Sequence, residues 1–140
     1  MAIKKQEFYE GAALHLLARG GGITSIRYQP PFFFLNDRLL VLLKHSTKKR
    51  SPWAFTFTTD EQSVMQERGS EYAITIGLVC GADGVATFDY DSFLRVAPLS
   101  ASAIHVACFR KYNEHYEISG PEGTLDRKIA PAIWRRILDL

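Results

Sequence analysis

Five consecutive apolar residues, Leu39-Leu40-Val41-Leu42-Leu43, run without a spacer into Lys44. Strand side chains alternate between two faces, so an unbroken apolar run needs cover on both. No apolar run in the chain approaches the roughly 18 residues of a membrane span. The stretch therefore predicts a central strand with a layer above and a layer below. A chain of 140 residues is long enough to bury one such core, and it reads as a single domain, 1–140. With 46% hydrophobic and 23% charged residues, disordered, collagen-like and disulfide-dense classes are excluded. A net charge of +2 gives no general affinity for polyanions, so any such affinity must come from a local cluster.

The flanking sequence supplies the layers. Residues 3–19 have helical spacing, with Ile3, Leu14 and Leu17 on one stripe and Gly20-Gly21-Gly22 at the end. Residues 23–29 alternate as a strand up to Pro30-Pro31. Residues 32–35 then pair with 39–43 as a hairpin, because Asn36 and Asp37 both tolerate left-handed turn angles. Successive strand residues face opposite sides, so Phe33 covers a helix or a partner while Phe32 and Phe34 face the other way. After Ser51-Pro52, Trp53, Phe55 and Phe57 share one side of a strand. Thr59 or Asp60 can cap a short helix through Arg68, closed by Gly69. Residues 72–80 and 85–90 are strands, and 91–96 reads equally as a short helix or as irregular chain. Residues 103–111, 114–119 and 124–129 are strands. Pro131 opens a closing helix with Ile133, Trp134, Ile137 and Leu138 on one face. The predicted fold class is α/β, with α+β as the alternative: a central mixed β-sheet flanked by an N-terminal helix, a short middle helix and a C-terminal helix.

Two groups of residues carry candidate chemistry. Glu10 shares the apolar stripe of the first helix, where a carboxylate is costly unless it is paired, ligates a metal or escapes to water at the stripe's edge. Lys44 is followed within nine residues by His45, Lys48, Lys49, Arg50 and Trp53. Cations beside an exposed ring suit phosphate and base, and such a segment would bind nucleic acid. The competing reading is a solvated loop with Trp53 in the core.

A first helix with an inward glutamate, a hairpin with an acid at its turn and a lysine ending the next strand resemble the core of the PD-(D/E)XK nuclease superfamily. The likeness covers roughly residues 7–80 and rests on element order. It implies a Mg²⁺-dependent nuclease, with Glu10 and Asp37 holding the metal and Lys44 positioning or activating the attacking water. The chain departs from that pattern at Leu42, where the superfamily has Asp or Glu and where leucine offers no oxygen ligand. Asp37 also lies seven strand steps from Lys44, on the order of 23 Å. Gln29, roughly across the hairpin from Lys44, carries no charge. Either the turn lies elsewhere or the acidic centre is incomplete.

Other chemistry has no pattern to stand on. His15, His45, His105 and His115 show no metal-ligand spacing, no serine sits in a nucleophile elbow, and the triple glycine follows a helix instead of a strand. Cys80 and Cys108 sit singly in apolar runs and are either reduced core thiols or a bridge between neighbouring strands. The amino terminus lacks a signal-peptide core, so the expectation is a soluble cytoplasmic protein. Two functions remain. One is a nucleic-acid-associated protein with a nuclease-like core, catalytically intact or degenerate, binding DNA or RNA backbone through residues 44–53. The other is a protein-interaction module or regulatory subunit.

Overall fold

A computed structural model describes residues 2–139. The chain runs α1 (Lys5–Arg19), β1 (Ile26–Gln29), β2 (Phe32–Leu35), β3 (Leu39–Ser46), β4 (Trp53–Phe57) and α2 (Thr59–Gly69). It continues with β5 (Ala73–Cys80), β6 (Gly84–Asp89), α3 (Tyr90–Val96), β7 (Ile104–Phe109), β8 (Glu117–Gly120) and β9 (Gly123–Thr124), and closes with a 3-10 helix, Pro131–Asp139. No helix among the described residues is long and apolar enough to cross a membrane.

The first sheet has the order β1-β2-β3-β5-β6, with β3 and β5 parallel and every other pair antiparallel. Asn36 and Asp37 both have φ of 54°, in the left-handed region, and with Arg38, whose N–H donates to the Leu35 carbonyl at 3.0 Å, they form a three-residue connection that sets the register Leu35↔Leu39. The apolar run of β3 is covered on both faces, as its composition requires. Leu40 and Leu42 face a core shared with Phe32, Phe34, Ile76 and Leu78. Leu39, Val41 and Leu43 face Ala13 and Leu17 of α1 and Trp134, Ile137 and Leu138 of the 3-10 helix. The Trp134 indole N–H donates to the Ala13 carbonyl at 2.9 Å and locks these two helices together. Phe33 falls on this helical side, beside Tyr28.

A second sheet, β4-β7-β8-β9, covers the other face, so the molecule is a sandwich with α1 and the 3-10 helix outside the first sheet, while Met65 of α2 and Phe93 and Val96 of α3 pack into the core shared by the two sheets. The mixed sheet and flanking helices expected from the sequence are present, but that sheet takes only five of the nine strands, and the other four form the second sheet. The pattern of β4 explains the split. Trp53, Phe55 and Phe57 are at most 3% exposed, whereas Ala54 and Thr56 face solvent. A strand with one apolar face closes a sandwich from outside, and only strands apolar on both faces belong in the middle.

Two local expectations change and one left open is resolved. Ile3 precedes α1 and is 64% exposed, so the buried stripe is Glu10, Ala13 and Leu17. The cap of α2 is Thr58, whose hydroxyl accepts from the Glu61 N–H at 3.1 Å while the Glu61 carboxylate accepts from the Thr58 N–H at 2.9 Å. Residues 90–96 form a helix, capped by Asp89. Cys80 and Cys108 are reduced, fully buried and 3.7 Å apart, one on each sheet. The hydrogen bond between them and their burial push the Cys80 thiol pKa well up, so it packs as an inert apolar group.

Candidate functional site

The pairing of β2 with β3 stops at Phe32↔Leu42, where the Pro30-Pro31 turn carries the chain away. Beyond it the end of β3 has no partner on that side, and a cleft of about 360 Å³ opens there, lined by Gln6, Tyr28, Lys44, His45, Thr56 and Glu61 among others. Lys44 and His45 leave β3 on opposite faces. The Lys44 ammonium meets both carboxylate oxygens of Glu61, at 2.8 and 2.9 Å, and lies 5.4 Å from the centre of the Phe57 ring. The side chains of this pair are 20% and 17% exposed, so each charge needs the other. His45 stacks on Tyr9 of α1, with ring centres 5.0 Å apart and planes 15° apart. Burial lowers the His45 pKa, opposed in part by the nearby Glu10 carboxylate and reinforced by Lys44 and Lys5. Glu10 does point inward, at 8% exposure, and accepts a hydrogen bond from Gln6 at 3.1 Å.

Asp37 lies at the other end of the hairpin, where it pairs with Arg27 at 2.5 Å. Gln29 is in β1, opposite Phe32 rather than Lys44, and accepts from Arg68 at 3.1 Å. The structure therefore brings Glu10, Lys44 and His45 to one end of β3 and leaves Asp37 apart. Leu42 stays in the core, and no group of three His, Cys, Asp or Glu among the described residues is placed to hold a metal. These residues do not fit a Mg²⁺ centre of the kind the resemblance implies.

The basic segment divides as the competing reading of the sequence had it, with Trp53 in the core and the loop cations in solvent. Trp53 is 2% exposed and donates its indole N–H to the Lys48 carbonyl at 2.9 Å, so it is a core residue and presents no face for stacking. Lys48, Lys49 and Arg50 are exposed and form no ion pair among the described residues. Their loop is held at two points besides Trp53. Gly81 (φ +55°) packs so closely that a Cβ there would lie 2.4 Å from the Lys48 carbonyl oxygen. The Ser51 hydroxyl accepts from the Arg110 N–H at 3.0 Å. The β4–β7 register, Trp53↔Cys108, carried two residues on, sets Ser51 across from Arg110, so the three cations border the β7–β8 loop. That loop exposes Lys111 and Tyr112, the latter by 92%.

Two residues escaped sequence reasoning. Thr58-x-x-Glu61 is a legible capping box, yet nothing local shows that its glutamate reaches Lys44. Tyr112 follows Arg110-Lys111, and only the fold brings it to the lysine-rich loop. No family model, curated protein or solved structure matches the chain.

Proposed function

We propose that the protein is a nucleic-acid-binding module with a nuclease-like core and a degenerate catalytic centre. The observation that carries this reading is the β3–β4 loop: three successive cations, all exposed, none neutralised by a carboxylate among the described residues, on a backbone pinned by Trp53. Fixed, uncompensated cations attract phosphate and release its counterions. Lys111, on the neighbouring loop, extends the surface. Within the first sheet, α1 followed by three antiparallel strands and, after β4 and α2, by β5 parallel to the third strand supports the resemblance on which the nuclease-like description rests, although β4 interrupts the order between β3 and α2. Lys44, clamped by Glu61, and Leu42, buried in the core, support loss of the cleavage chemistry.

A protein-interaction role is the second reading. The outer face of the second sheet favours it, since Leu99 and Phe109 remain 45% and 40% exposed beside a broad hollow. Salt separates the two. Binding of a labelled oligonucleotide, followed by anisotropy, is expected to weaken steeply as salt rises. Replacing Lys48, Lys49 and Arg50 together with Ser is expected to lower affinity and make the log–log salt slope shallower by about 2. An unchanged slope and affinity in the triple variant, or no binding by the parent, would falsify the nucleic-acid reading.

A further inference from the structure

The β7–β8 loop is built more rigidly than its exposure suggests. The Arg110 guanidinium donates to the Glu114 carbonyl at 2.7 Å and to Asp83 Oδ2 at 2.8 Å. The same Asp83 oxygen accepts from the buried Tyr116 hydroxyl at 2.7 Å. The Glu114 N–H closes the turn on the Lys111 carbonyl at 2.9 Å, and Asn113 takes a left-handed φ of 60°. Tyr112 therefore sits on a fixed turn with its ring in solvent. Beside it is a hollow of about 290 Å³ lined by Asp83, Arg110, Lys111, Tyr112 and Asn113. Asp83 Oδ1 receives no hydrogen bond among the described residues, so an acceptor remains free at the same place.

We propose that this hollow takes one unpaired nucleobase, stacked on Tyr112, while Lys111 and the cations of residues 48–50 hold the flanking phosphates. The proposal rests on the nucleic-acid reading and sharpens it to a substrate class: single strands, or duplexes with a displaced base. A base within a duplex has both faces occupied by its neighbours, whereas an unpaired base can place a face on an aromatic ring. The free Asp83 oxygen suits a base amino group, which donates hydrogen bonds.

The test compares a labelled single strand with the blunt duplex of the same sequence, for the parent, Tyr112→Ala, Tyr112→Phe and the triple Ser variant of residues 48–50. The parent is expected to prefer the single strand. Tyr112→Ala should bind the single strand about tenfold more weakly, leave duplex binding unchanged and keep the parent's salt slope. Tyr112→Phe, which keeps the ring, should bind like the parent. If Tyr112→Ala binds the single strand as the parent does, or weakens both substrates alike, the stacking site is overturned. In that event a loss confined to the triple Ser variant leaves the phosphate surface standing. If the parent binds neither substrate, both readings fail.

Discussion

Lys44 and the cations at 48–50 lie a few residues apart on one segment, yet they have opposite electrostatic fates. Lys44 leaves the last covered stretch of β3, where water is scarce, and the fold supplies Glu61 to meet it. Lys48, Lys49 and Arg50 stand in solvent, where a lone charge is well hydrated and needs no partner. The comparison separates charge that serves the fold from charge that remains available to a ligand. A lysine at a strand end looks catalytic in sequence, but here a half-buried carboxylate meets its charge. The plain-looking loop keeps its charges without an ion pair among the described residues.

The largest expected effect concerns Trp53, the core residue that holds the loop of exposed cations through the Lys48 carbonyl. Trp53→Ala should cost about 4 kcal/mol in urea unfolding, because a large buried side chain is lost together with its hold on the Lys48 carbonyl. A cost near zero would return Trp53 to the surface and reopen it as a stacking residue. Next comes Glu61→Ala, expected to destabilise by about 2 kcal/mol by stranding Lys44 and removing the capping box of α2. Adding Lys44→Met should restore part of that loss; if the double variant is no better than the single, the cap alone explains the effect. The triple Ser variant at 48–50 should shift stability by no more than about 0.5 kcal/mol. A larger loss would mean that these cations have structural partners and are not free.

The smallest effect is a pH dependence at His45. Its folded-state pKa lies below the ordinary 6.5, chiefly through burial, so the native state resists a proton that the unfolded chain accepts. Its contribution to stability is therefore complete above about pH 6.5 and declines as pH falls from there toward the folded pKa. His45→Phe keeps a ring against Tyr9 and has no proton to gain, so its unfolding free energy should fall less between pH 7 and pH 5.5 than the parent's. Parallel curves for the two proteins would remove His45 as the source.

Much of the architecture was legible because side-chain alternation is local. The all-apolar β3, the one-sided β4 and the Asn36-Asp37 turn each follow from a few adjacent residues. The helix stripe was right at Glu10 and Leu17 and wrong at Ile3, since the periodicity does not say where α1 begins. The partition into two sheets was not legible. Strand pairing is decided between segments far apart, and β4 chose β7, about fifty residues on, over its neighbour β3. The candidate site divided along the same line. An inward Glu10, exposed Lys48–Arg50 and a Trp53 on the apolar side of β4 could be read from pattern, while exposure of Tyr112 beside the lysine-rich loop could not.

The sequence by itself determined which strands are buried on one face and which on two, because that depends only on the alternation of apolar side chains along a pleated chain. Only the tertiary structure decided which charges are spent and which are free. The partner of Lys44 comes from 17 residues away and that of Arg110 from 27, and distances of that kind are set by packing, not by sequence neighbourhood.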